Sequence, residues 1–209
     1  RVISRDEQDV TLTTPVVRGT DGLNSRVTAE AEWRRSVVTG GGLVVTPSLH
    51  VQGDALYADI ASASQASIAA MAAQLNVEAD VRSALYRYMA TAGLDVRWPV
   101  LFSTTSSTHV LDPVAQIFAR PDEPYSDELT VLNEDAQSFV FDATTLFERD
   151  KFSGYDRMEG GTRANLGFRY AGTYGNGWAT NAIFGQSYHL AGRNSFASPD
   201  VVNAGAYSG

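Results

Sequence analysis

Residues 161–190 read GTRANLGFRYAGTYGNGWATNAIFGQSYHL, and their alternation decides the fold. In the first half, Thr162, Ala164, Leu166, Phe168, Tyr170 and Tyr174 fall on one face, and Arg163, Asn165, Gly167, Arg169 and Thr173 on the other. A period of two is the mark of a strand with unlike faces. Gly175-Asn176-Gly177 then supplies residues that tolerate positive φ, which a tight hairpin turn requires. The returning half sets Trp178, Ala182, Phe184, Tyr188 and Leu190 against Asn181, Gly185, Ser187 and His189, with Ile183 the exception on the polar side. The pattern predicts an antiparallel hairpin, entered from a loop that begins near Phe139.

The same period recurs upstream. Arg26–Val38 places Val27, Ala29, Ala31, Trp33 and Val37 opposite Thr28, Glu30, Glu32, Arg34 and Ser36. Arg35 interrupts the apolar side, either as a snorkelling side chain or because the strand ends there. Leu43–Tyr57 sets Leu43, Val45, Pro47, Leu49 and Val51 against Thr46, Ser48, His50, Gln52 and Asp54. Gly93–Phe102 and His109–Phe118 read as two further strands, and Val10–Thr13 as a short one. Pro47, Pro99 and Pro113 fall inside these strands, where proline removes a ladder hydrogen bond and so points to a kink, a bulge or an edge. In 58–92 the period of two is lost, and Ile68, Met71 and Leu75, then Val81, Leu85 and Tyr88, have helical spacing. This segment is expected to be a long loop carrying short helices. A second long connection, 119–160, contains Pro121, Pro124 and an acidic run from Asp122 to Asp135.

Short connections at 39–42, 103–108 and 175–177 therefore alternate with long ones at 58–92 and 119–160. An antiparallel barrel of an outer membrane has this rhythm, with tight periplasmic turns and longer extracellular loops. Strands of ~10 residues cross a bilayer when tilted. Trp33, Tyr57, Trp98, Phe102, Phe118, Tyr174 and Trp178 stand near strand ends, as an interfacial girdle facing lipid would. The fold class expected is all-β, an antiparallel transmembrane β-barrel represented by about six strands. A soluble β-sheet with an aromatic core fits the pattern alone as well. In the barrel reading, Arg163, Asn165, Arg169, Asn181 and His189 face the lumen.

The 209 residues carry a net charge of −8 and no cysteine. The acidic balance argues against a nucleic-acid partner, which usually needs a basic patch. Without cysteine there is neither a disulfide frame nor a thiolate metal site. No stretch resembles an apolar helix of ~20 residues, a test to which barrel strands are blind. The chain opens on Arg1-Val2-Ile3 without a signal-like apolar run and ends on small residues, so it is expected to be an internal piece of a longer protein.

The run Asp150-Lys151-Phe152-Ser153-Gly154-Tyr155-Asp156-Arg157, continued by Glu159-Gly160-Gly161-Thr162-Arg163-Ala164-Asn165, resembles the outer-membrane lipopolysaccharide (LPS)-assembly protein family. This is component D of the LPS transport machinery, formerly the organic solvent tolerance protein. Glu32-Trp33-Arg34-Arg35, 92–99, His109-Val110-Leu111-Asp112-Pro113 and Phe184-Gly185-Gln186-Ser187-Tyr188 are similar to the same family, in order, with an alphaproteobacterial flavour. Many relatives carry Glu where Asp112 stands, and the cysteines of some relatives are absent. The resemblance implies that 1–209 is part of one outer-membrane barrel domain, with an N-terminal periplasmic domain and further strands outside it. It implies placement of LPS in the outer leaflet, no catalysis and no cofactor. It also implies a plug lipoprotein, a periplasmic LPS bridge protein and membrane lipids as partners. Another outer-membrane barrel, a porin or an adhesin, would share the alternation but not the 150–167 run.

The family-motif loop comprises Asp150, Phe152, Gly154, Asp156, Arg157 and Glu159. Its three carboxylates are of a kind that serves acid–base chemistry or holds calcium. Phe152 and Gly154 stand where an EF-hand needs its third and fifth ligands, so a structural loop with Arg157 pairing a carboxylate is the simpler reading. A secreted β-rich hydrolase using these carboxylates is a third function class. His50, His109 and His189 lie on separate strands without metal-ligand spacing, and there is no nucleophile elbow or phosphate-binding loop.

Overall fold

The computed structural model describes residues 2–3, 22–75, 83–123, 145–152, 154–155 and 158–196. Val10–Thr13, Val81 and the acidic run beyond Glu123 lie outside the described residues. The strands are β1 (Val2–Ile3), β2 (Gly22–Arg34), β3 (Val37–Val38), β4 (Val44–Ile60), β5 (Ala84–Arg97), β6 (Val100–Ser103), β7 (Ser107–Ala119), β8 (Thr162–Tyr174) and β9 (Ala179–Ala191). One helix, α1 (Ser62–Leu75), stands between β4 and β5. All described strands form one antiparallel sheet in the order β1-β2-β4-β5-β7-β8-β9, with β3 against β4 and β6 against β7. The topology is a meander in which each long strand pairs with the next. Counting β2/β3 and β5/β6 as one interrupted strand each, six long strands result, as the alternation predicts.

The interruptions have a common cause. Pro47 accepts from Arg35 N–H at 3.2 Å, at the break between β2 and β3. Pro113 accepts from Trp98 N–H at 3.1 Å, at the break between β5 and β6, where Pro99 also sits. A residue in a strand turns its N–H and C=O to the same side, so each missing proline N–H falls where the ladder is already open. Arg35 is thus the residue at which β2 has ended.

The 175–177 turn is as expected. Tyr174 N–H donates to Trp178 O at 2.9 Å, Gly177 N–H donates to Tyr174 O at 2.9 Å, and Gly177 adopts φ 85°. Segment 58–92 differs from expectation. Its helix holds Ile68, which is buried with Ser64 and Ala72 one turn to either side. Leu85 and Tyr88, however, belong to β5, which begins at Ala84 and shortens the connection to 61–83. Tyr86, Tyr88, Ala90 and Ala92 occupy one face of β5, while Leu85 and Met89 share the other with Arg87 and Thr91. Apolar residues on both faces hide the period of two, and the three-residue step from Leu85 to Tyr88, which here lie on opposite faces of the strand, imitates a helix.

Burial is inverted across the sheet. Arg87, Thr91, Gln116, Arg163 and Asn165 are buried, and Asp54 and His50 with them. Val27, Leu49, Val51, Tyr86, Tyr88, Phe184 and Leu190 are exposed. A buried polar row beneath an exposed apolar face is the informative departure from a water-soluble sheet. One face is covered, by residues 145–152 and 158–161 among others; the other is open.

Candidate functional site

On the covered face, four polar side chains stand in register across four strands. Asp95 pairs with Gln116, Gln116 with Asn165, and Asn165 with Ser187. Gln116 donates to Asp95 at 2.6 Å, Asn165 donates to Gln116 at 3.1 Å, and Ser187 donates to Asn165 at 2.7 Å. Each amide gives and accepts, so burial of the row leaves its polar atoms partnered. The next row along the strands is Arg97, Val114, Gly167 and Gly185.

The two glycines form the seat of the loop. A Cβ on Gly167 would lie 3.0 Å from the Phe147 ring, and one on Gly185 2.9 Å from a Leu146 methyl. Leu146, Phe147 and Val114 are buried together there. Arg169 lies over the Phe147 ring at 4.9 Å, a cation–π contact. The turn at 145–148 is closed by Lys151, whose ammonium donates to the carbonyls of Thr145, Leu146 and Glu148 at 3.1–3.3 Å.

Glu159 fastens the loop from the other end and is almost fully buried. Its Oε1 accepts from Arg163 Nε at 2.6 Å and lies 3.1 Å from Arg120 Nη1. Its Oε2 accepts from Lys151 N–H at 3.1 Å. Arg120 also donates to Arg149 O, and Arg163 to Ser187 at 3.2 Å. Asp150 accepts from Phe152 N–H at 2.9 Å, and the Phe152 ring meets Phe196 at 4.8 Å. Burial, then the neighbouring Glu159, raises the Asp150 carboxyl above its ordinary value. Arg149 reaches across the sheet to Glu32 at 2.8 Å, and Arg87 reaches Tyr155 O at 2.9 Å. Between loop and sheet lies a cavity of about 530 Å³ whose lining includes Arg34, Arg97, Arg149 and Arg169 and the acids Glu32, Asp95, Glu148 and Asp150. Four charges of each sign give a polar wall that neither repels nor traps an anion strongly.

Burial lowers the Lys151 ammonium from 10.5 to about 8, with Glu159 opposing the shift. The folded value lies below the unfolded one, so the unfolded chain binds more protons between the two. The stability contribution is complete above pH 10.5 and is lost as pH falls through about 8. Urea midpoints of the full-length protein are therefore expected to rise across this window relative to Lys151→Met. Parallel profiles for the two proteins would remove the assignment.

The family described as LPS transport system D matches residues 4–208. The chain belongs to that family. Membership in the LPS transport system D family gives it a role in LPS transport at the outer membrane, in keeping with an all-β chain whose described helix is neither long nor apolar enough to cross a membrane. No curated protein matches the chain.

The motif residues are divided by the structure. Asp150, Phe152, Gly154 and Glu159 lie in the seated loop, and Asp156 and Arg157 lie outside the described residues. Glu159 is paired by Arg120 and Arg163, and the expected pairing of a carboxylate by Arg157 lies outside the described residues. Arg163, Asn165 and Arg169 share the covered face; Asn181 and His189 share it by register but are exposed on β9 at the sheet edge. His189 reaches Gly192 O at 2.9 Å, and His109 meets Tyr170 and Ser107 at 2.7 and 2.9 Å on the open face. Trp33, Tyr57, Trp98, Phe102, Tyr174 and Trp178 are exposed. Phe118 is a correction to the expected girdle. It pairs with Arg163 and Gly93, is buried, and carries the Arg120 guanidinium 5.5 Å above its ring. Its place at a strand end suggests the girdle, but parity puts it with Gln116. Sequence reading misses Arg120, Leu146, Phe147 and the role of Lys151. The one signal available is that Gly167 and Gly185 stand nine residues before and nine after Asn176, on the polar side of both strands.

Proposed function

We propose that the covered face is the wall of an aqueous lumen and the open face a lipid-contacting surface. In this reading the chain is a sector of an outer-membrane β-barrel that places LPS in the outer leaflet. The inverted burial carries the reading: the hydrogen-bonded row Asp95–Gln116–Asn165–Ser187, buried at Gln116 and Asn165, backs a sheet face of exposed Val27, Leu49, Val51 and Phe184. A glycolipid brings sugars and phosphates that need polar groups, and acyl chains that need lipid. Arg163, Asn165, Arg169, Asn181 and His189 then line the lumen. Trp33, Trp98, Phe102, Tyr174 and Trp178 form a girdle at the short-turn end, and Tyr57 forms one at the long-loop end with Tyr86 and Tyr88. Transport breaks no bond, so Asp150 and Glu159 act as structural anchors of the loop. A plug lipoprotein in the lumen, a periplasmic bridge protein, an N-terminal periplasmic domain and further strands complete the assembly.

Depletion of the full-length protein in its own organism tests this. Surface LPS is expected to fall while LPS accumulates at the inner membrane. Unchanged surface LPS with altered solute uptake or adhesion would transfer the chain to a porin or adhesin role.

A further inference from the structure

Two arginines share one oxygen at the loop anchor. Oε2 of Glu159 is engaged by Lys151 N–H, so Oε1 alone faces Arg120 and Arg163. Both guanidinium side chains are more than nine-tenths buried, at 2% and 9% exposure. Yet Arg163 Nη2 makes no hydrogen bond among the described residues, and Arg120 Nη1 meets Glu159 Oε1 as an ion-pair contact at 3.1 Å without hydrogen-bond alignment. A buried N–H left unmatched carries the desolvation penalty without the return. The carboxylate is planar and has a single charge. A phosphomonoester has three terminal oxygens and close to two charges, and it suits paired guanidiniums better.

The charge balance favours such a guest. Arg120, Arg163 and Lys151 face Glu159 and Asp150, which leaves a net +1 (3 − 2) with every group ionised. The cluster also borders the polar cavity, since Phe118, Arg149 and Asp150 belong to both.

We propose that Arg120 and Arg163 form a binding site for a phosphomonoester, that Glu159 occupies this site from within, and that an arriving phosphate displaces Glu159 and frees the loop from the sheet. Glu159 is tied through Lys151 to the 145–148 turn, so its departure loosens Leu146 and Phe147 from Gly185 and Gly167. For a lipid-borne phosphate the step rests on the covered face being the transport path; for free phosphate it does not.

The test uses the full-length protein in detergent with L146C, whose buried thiol reacts with a maleimide only when the loop lifts. The probes are inorganic phosphate, vesicles of a phosphorylated glucosamine lipid, and vesicles of the same lipid with its phosphates removed. The phosphorylated lipid is expected to speed labelling about 5–150-fold, the range ordinary for coupling between two sites. The dephosphorylated lipid is expected to leave the rate unchanged, and E159Q in the L146C background to label fast with no probe. Acceleration by inorganic phosphate assigns the effect to the ion itself; acceleration by the lipid alone assigns it to the headgroup. A rate that responds to neither, or equally to both lipids, overturns the proposal. Hydrogen exchange at 145–161 in the otherwise unaltered protein, with the same probes, decides the matter if L146C does not fold. If depletion leaves surface LPS intact, the transport reading falls, while a phosphate-dependent rate still upholds the site and a flat one removes it.

Discussion

Glu159→Ala is expected to weaken the attachment of the 145–161 loop by about 3–5 kcal/mol, the loss ordinary for breaking a buried ion pair from one side. The carboxylate serves two guanidiniums and a backbone N–H at once. Removing it leaves Arg120 and Arg163 buried against each other without their shared counter-charge. The structure has a way to escape that state, because the loop can leave the sheet and admit water. The loss is therefore expected as hydrogen exchange at 145–152 faster by about two orders of magnitude or more, with the strand ladder less affected. Glu159→Gln keeps an acceptor for Lys151 N–H and Arg163 and is expected to fall between the alanine variant and the parent. Glu148→Ala, on the exposed side of the same turn, is expected within about 0.5 kcal/mol of the parent. Equal exchange in Glu159→Ala and Glu148→Ala would mean that the loop is held by Leu146 and Phe147 alone.

What the sequence made legible depends on how local the cause is. β8 and β9 could be read from alternation because each carries one polar and one apolar face. The turn between them could be read because Gly175-Asn176-Gly177 is a local device. The breaks near Pro47, Pro99 and Pro113 were visible as conflicts, and the ladder resolves them by opening where the proline N–H is missing. β5 was misread because its covered face includes Leu85 and Met89. These pack at the end of the sheet where Leu56 pairs with Leu85, so hydrophobicity there reports a local core and not the lipid side.

The candidate site was legible only in part, for a related reason. The motif around Asp150 and Glu159 could be quoted from the chain, and Arg163 could be placed on the polar face. That Arg120 closes on Glu159 depends on β7 lying beside β8, a fact of register with no trace in local spacing. The glycine seat is similar. Gly167 and Gly185 become one feature only when β8 and β9 pair, which brings them opposite each other beneath Phe147 and Leu146.

The second large effect is expected at the pair Asp54–Arg87, which joins β4 to β5 on the covered face. Arg87 donates from Nε and Nη2 to the two carboxylate oxygens at 2.9 and 2.5 Å, with the side chains 4% and 0% exposed. Asp54→Ala removes the charge that offsets a buried guanidinium and is expected to cost about 3–5 kcal/mol in urea unfolding of the full-length protein. Arg87→Met, which strands the carboxylate, is expected to cost a similar amount. The double variant Asp54→Leu/Arg87→Met buries two apolar side chains of similar bulk and is expected to regain most of that loss, since replacing both partners removes the desolvation penalty along with the attraction. It does not regain the bond from Arg87 to Tyr155 O. Barrel stability near the parent, with faster exchange around Tyr155, would thus separate two duties of one arginine: joining neighbouring strands and holding the loop above them. A double variant as unstable as the singles would show that the strands themselves need the ion pair, and that the loop is secured by Glu159 without help from Arg87.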